Sequence, residues 1–158
     1  MKTYSSFIKH LAEELSKDAS SHEITKALKD KNSVDNRYKA ALHHNVEKHH
    51  LDIMQKDRSS DVRAEVGRHP KASSEHIDKA LSDKHPFVRY SALDHKNPTV
   101  KAHHVEKALK DSDHHVRALA IQHPTATEHH VRQALNDPHP HVRETAAKVA
   151  KERNIKAG

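Results

Sequence analysis

No cysteine and no tryptophan occur among the 158 residues, and glycine, phenylalanine and tyrosine number only two, two and three. Without thiols the chain has no disulfide, no cysteine nucleophile and no thiolate zinc site. Two glycines, Gly67 and Gly158, are too few for a turn-rich all-β protein. With few aromatics and 34% apolar residues, the side chains suit a thin, elongated core better than a large globular one. Long apolar runs are also missing. The N-terminal stretch MKTYSSFIKHLAEELSKD mixes Lys and Glu with its apolar residues, so neither a signal peptide nor a membrane span is expected. That predicts a cytoplasmic protein without membrane contact. No glycine-rich phosphate loop, nucleophile elbow or pair of carboxylates at catalytic spacing is present, which points away from an enzyme and from a cofactor.

What the chain does have is a recurring phrase. It runs Asp57 to Arg63, Asp83 to Arg89, Asp111 to Arg117 and Asp137 to Arg143, with a weaker copy from Asp30 to Arg37. The arginines are 26, 26, 28 and 26 residues apart, a period that fits one helical hairpin stacked repeatedly along an axis. Each copy opens with apolar residues at i, i+3 and i+4: Ile24, Ala27, Leu28; Ile77, Ala80, Leu81; Val105, Ala108, Leu109; Val131, Ala134, Leu135. That spacing makes one stripe on a short helix, helix A. The second copy reads Leu51, Met54, Gln55, so its layer is expected to be looser or Gln55 to face solvent. A polar turn leads to helix B, which buries Val62 and Val66, Val88 and Ala92, Val116 and Ala120, Val142 and Ala146. Helix B is expected to end at His69-Pro70, at His123-Pro124, and at His95 two residues before Asn97-Pro98, because proline biases its predecessor away from the α region. Ser73 and Thr127 are placed to cap the following helix A.

The expected architecture is therefore all-α: a right-handed α-solenoid of about five 26-residue helix pairs in one domain over 1–158. It divides into an N-terminal cap over 1–20 and repeats at 21–48, 49–75, 76–103, 104–129 and 130–154. Tyr4, Ile8, Leu11 and Leu15 form the apolar face of the N-terminal cap, and the proline-free run after Arg143 forms the C-terminal one.

The phrase ALxDxxxxVRxxAxxHPxAxxxHV, as it stands in Ala108 to Val131, resembles HEAT-like repeats and especially the leucine-rich repeat variant. The resemblance covers roughly residues 20 to 150 and points to a bacterial or bacteriophage protein. It implies a structural ladder of hydrogen bonds and ion pairs formed by Asp57/Arg63, Asp83/Arg89, Asp111/Arg117 and Asp137/Arg143. The iron–sulfur cluster of some leucine-rich repeat variants needs cysteines that are absent. The His-Glu dipeptides of HEAT-like deoxyhypusine hydroxylases reduce here to His22-Glu23, and the aromatic pocket of HEAT-like DNA glycosylases has no counterpart.

Nineteen histidines and a formal charge of +6 remain to be placed. One histidine column is His43, His69, His95 and His123 at the end of helix B; another is His50, His76, His104 and His130 near the start of helix A. Adjacent helical layers lie on the order of 10 Å apart, so column mates cannot share one ion, and no metal is expected. The functional expectation is a non-enzymatic scaffold that binds another macromolecule, chiefly a protein, through the face lined by helix B. Its contact residues are Lys39, Glu65, Tyr90, Ser91, Leu119 and Thr145 with His43, His69, His95 and His123. The alternative is a sequence-tolerant nucleic-acid binder whose Lys, Arg and His follow a phosphate backbone.

Overall fold

The computed structural model describes residues 15–94 and 97–156. Among them every regular element is helical, with no strand. The helices are α1 (Ser21–Leu28), α2 (Val34–Ala41), α3 (Lys48–Met54), α4 (Ser60–Arg68), α5 (Ser74–Ala80), α6 (Pro86–Ser91), α7 (Ala102–Ala108), α8 (His114–Gln122), α9 (Glu128–Ala134) and α10 (Pro140–Glu152). None of them is long and apolar enough to cross a membrane. Of the expected N-terminal cap face, Tyr4, Ile8 and Leu11 lie outside the described residues. Leu15 packs partly buried against the core.

These helices are too short to persist alone. Each odd-numbered helix packs on the even-numbered helix that follows it, and α2, α4, α6, α8 and α10 pack successively on one another. The apolar stripes meet there: Ile24, Leu51, Ile77, Val105 and Val131 from the odd helices and Val62, Val88, Val116 and Val142 from the even ones are completely or almost completely buried. Caps set the boundaries. Ser20, Ser73 and Thr127 accept from backbone N–H groups of the first turns of α1, α5 and α9. Pro86 and Pro140 occupy first-turn positions in α6 and α10, where no helical acceptor awaits an N–H. The long α10 stops at Asn154, whose φ of 54° lies in the left-handed region that Asn tolerates.

Gly67 permits a close approach of two helices. A Cβ there would lie 2.6 Å from Ala92 Cα and 2.8 Å from both Ala92 N and Ser91 O, so α4 can rest on the α6 backbone only because that atom is missing.

The Asp-to-Arg phrase makes its hydrogen bonds within the phrase, as its six-residue spacing suggests, but its ion pairs with the phrase that follows. Within its own phrase each arginine uses Nη1 to donate to the aspartate's backbone carbonyl: Arg63 to Asp57, Arg89 to Asp83, Arg117 to Asp111 and Arg143 to Asp137, at 2.8–3.0 Å. The carboxylate it meets belongs to the next phrase. Arg37 grips Asp57, Arg63 grips Asp83, Arg89 grips Asp111 and Arg117 grips Asp137, with Nε and Nη2 both donating at 2.7–3.2 Å. Such fork-to-fork pairs carry direction as well as energy. The hydrogen bonds to Asp83 and Asp137 hold Arg63 and Arg117 above the ordinary guanidinium range, and Arg117 in turn draws the Asp137 carboxyl down.

Two further expectations need correction. Gln55 does not turn to solvent: it is partly buried and its Nε2 donates to the His76 carbonyl at 2.9 Å, tying α3 to α5. The residue equivalent to His69 and His123 is Asn97, whereas His95 lies outside the described residues. His69 Nδ1 accepts from Lys71 N, His123 Nδ1 from Thr125 N, and Asn97 Oδ1 from Thr99 N, each two residues on and each followed by proline. The two extra residues of the longest spacing therefore precede Asn97. Buried Asn97 also donates through Nδ2 to the Gly67 and His69 carbonyls at 2.8 and 3.2 Å.

Candidate functional site

The even-numbered helices carry a band of side chains that packing leaves partly uncovered. Val34, Leu42, Phe87 and Tyr90 are the exposed large apolar residues among those described; Val34 starts α2, Leu42 caps its end, and the other two lie on α6. Between α2 and α6 stands α4. From it the Arg68 guanidinium lies 5.1 Å from the centroid of the Phe87 ring, within cation–π range, and Arg68 Nη1 donates to Glu65 Oε1 at 2.6 Å. Glu65 in turn sits against Tyr38 of α2, where its negative charge pushes the phenol above its usual range. Tyr38, Glu65, Arg68 and Phe87 thus form one network across three helices, fixed at its centre by a buried carboxylate, with Tyr90 exposed on the same helix as Phe87.

The residues expected to touch a partner are scattered relative to this band. Tyr90 is in it, and Lys39 and Leu119 are partly exposed on α2 and α8. Glu65 belongs to it as a buried support. Ser91 is 2% exposed and cannot reach a partner, and His123 is buried too. Thr145 donates its hydroxyl to the His141 carbonyl one turn back. His43 and His69 are half-buried, with Nδ1 accepting from the N–H two residues on, and burial pulls the His69 imidazole below its ordinary range. Helix-end histidines are thus turn-forming groups. Missing from the expected set are Tyr38, Leu42, Arg68 and Phe87. Their signal was available: with the arginines aligned, Phe87 and Tyr90 stand two before and one after Arg89, both outside the buried valine stripe.

The second histidine column has a definite chemistry. His50, His76, His104 and His130 are buried at the third position of α3, α5, α7 and α9. In each, Nδ1 accepts the backbone N–H of the N-cap residue, from Glu47, Ser73, Lys101 and Thr127, at 2.8–3.2 Å. A nitrogen that accepts holds no hydrogen, so the neutral ring must carry it on Nε2. That Nε2 reaches back to the preceding pair: to Ser21 O and Thr25 Oγ1 from His50, Asp52 from His76, Ser74 Oγ from His104 and Glu106 from His130. Burial pulls the His50 and His104 imidazoles below their ordinary range.

The same tautomer rules on metal binding. Glu47, His49 and His50, and likewise Asp78, His103 and His104, bring potential ligand atoms within 4.8 Å of one another. His50 and His104 have no lone pair to offer, since one nitrogen accepts a cap and the other bears a hydrogen. Lys107 Nζ lies 3.7 Å from Asp78 Oδ1 and opposes a cation there as well. These clusters serve as joints between helices.

The chain matches no family model, no curated protein and no solved structure.

Proposed function

We propose that this chain is a non-enzymatic α-solenoid of HEAT-like or leucine-rich-repeat-variant type, built of about five helix pairs, that binds a partner protein through its even-numbered helices. The observation that carries the reading is the coincidence of the four large apolar residues exposed among those described, Val34, Leu42, Phe87 and Tyr90, on α2 with its C-cap and on α6, on either side of an arginine held over an aromatic ring. Aromatic residues and arginine dominate binding energy at protein interfaces, and a side chain fixed in advance loses less entropy on binding. Successive packing of α2, α4, α6, α8 and α10 supports the solenoid arrangement, because identical rungs of Arg and Asp recur between them. Those rungs also weaken the nucleic-acid alternative. Arg37, Arg63, Arg89 and Arg117 each hold an aspartate and have no free fork for a phosphate.

The test places a carboxylate in the band, with Leu42→Glu, Phe87→Glu and Tyr90→Glu combined, against a control carrying Lys29→Glu and Lys110→Glu elsewhere. Proteins retained by the intact chain from its native cell are identified and their affinity remeasured with purified components. A partner lost by the band variant at least tenfold and kept by the control supports the reading. Equal affinity for all three would refute it, and binding of duplex DNA or RNA with a steep salt slope would favour the alternative.

A further inference from the structure

Four imidazoles gather where α8 and α10 begin. His114 and His115 open α8, His139 caps α10 and His141 follows it. The ring centroids of His114 and His115 are 4.0 Å apart, those of His115 and His141 5.7 Å, and those of His114 and His141 6.0 Å. His139 stacks flat on His114 at 3.7 Å and 16°. This group differs from the buried histidine column in one chemical respect. No ring nitrogen of His114, His115 or His141 makes a hydrogen bond among the described residues, so each neutral ring has a lone pair to give. His139 is committed, since its Nδ1 accepts the His141 backbone N–H at 3.3 Å.

The separations fit a shared ion. Nitrogen ligands bind zinc at about 2.0–2.1 Å, so three imidazoles on one tetrahedral centre have centroids roughly 5 Å apart. The three observed distances straddle that value. The ring nitrogens of the three do not all lie within 4.8 Å of one another, so binding requires the side chains to turn and aim them inward. His115 and His141 are exposed, which leaves them free to turn. The positive N-terminal end of α8 opposes a cation. The Asp113 carboxylate opposes that in turn: it caps α8 by accepting from His115 N and Val116 N and lies close enough to stabilise charge on His114 and His115.

We propose that His114, His115 and His141 form a binding site for a divalent transition-metal ion, zinc or nickel by ligand type, with His139 packed beneath as its support. The fourth coordination position is left to water. The site lies apart from the aromatic band and stands whether or not that band binds a protein.

The experiment titrates ZnCl2, and separately NiCl2, into the full-length protein near pH 7.5. Heat is followed by calorimetry and the histidine side chains by NMR. The expected result is one equivalent bound, with broadened or shifted resonances confined to His114, His115, His139 and His141. His115→Gln with His141→Gln should weaken that equivalent by about tenfold or more, the scale on which even outer-shell losses act on metal affinity. His49→Gln with His103→Gln should leave it unchanged. The proposal fails if no stoichiometric equivalent binds, if the first pair of substitutions has no effect, or if the loss follows the second pair. Circular dichroism of both variants separates a lost ligand from a lost fold.

Discussion

Gly67→Ala sets two effects of opposite sign against each other. Alanine in a helix interior is favoured over glycine by about 0.5–1 kcal/mol, so propensity alone makes the substitution stabilising. Packing argues otherwise. The new Cβ would lie 2.6 Å from Ala92 Cα, 2.8 Å from Ala92 N and 2.8 Å from Ser91 O, while carbon atoms in contact settle at roughly 3.5–4.0 Å. Helices α4 and α6 must part by about 1 Å to restore that contact, and the buried side chains Val62, Val66 and Val88 lose their fit. Overpacking of this kind costs about 1–3 kcal/mol, which outweighs the propensity gain. The net expectation is a loss of about 1–2 kcal/mol, or roughly 2–8 °C in Tm for a chain of this size. Urea and thermal unfolding followed by circular dichroism measure it. Adding Ala92→Gly should give no rescue, because the atoms met are backbone. A Gly67→Ala protein as stable as the parent, or more so, would refute the packing argument.

Arg63→Ala leaves the Asp83 carboxylate, 14% exposed, without its fork; the expected loss is about 3 kcal/mol, and Arg63→Met with Asp83→Leu should recover most of it in the same urea assay. Asn97→Ala deletes bonds to Gly67 O, His69 O and Thr99 N in a buried turn, with an expected loss of about 2 kcal/mol or more. Acid should act in two windows. His50 and His104 have folded pKa values below the unfolded value of 6.5, so the unfolded chain binds protons first: their stabilisation is complete above about pH 6.5 and falls away as the pH drops through the folded values. Asp30, Asp83, Asp113 and Asp137 are likewise lowered, from 3.8, and their contribution persists until the pH falls below that value. Urea midpoints between pH 7.5 and 5.5 should decline in the parent and decline less in His104→Gln; identical slopes would remove the histidine from this account.

The helices and their buried stripes were legible because an apolar period near 3.6 is a local signal, written within seven or eight residues. The partners were not local. Arg63 was read with Asp57, six residues away, although Asp83 stands at an equally regular spacing of 20 residues. Both intervals repeat, and only the fold tells which aspartate offers its carbonyl and which its carboxylate. Asn97 was missed for a chemical reason: an amide oxygen and an imidazole Nδ1 accept the same N–H, so the turn keeps its geometry while the letter changes. The buried histidines were seen as a column, but their role needed the N-cap N–H groups of four helices. The exposed band was half legible. Tyr90 stood out as variable between copies, but Arg68 and Phe87 acquire meaning only when α4 and α6 lie side by side.

The rungs from Arg to Asp run in one sense along the chain, from each donor to the acceptor that follows. They start from Asp30, whose carboxylate takes the Asn36 amide and no guanidinium, and finish at Arg143, which meets no carboxylate among the described residues. A stretch from one aspartate to just before the next therefore carries one acceptor and one donor. Duplicating or deleting such a stretch reconnects every remaining fork with an equivalent carboxylate, whereas a change of length that is not a whole period leaves a fork and its carboxylate at the wrong separation. Beyond Arg143 a different arginine makes the connection: Arg153 folds back after α10 and donates to the Ala126 and His123 carbonyls, where no carboxylate is involved.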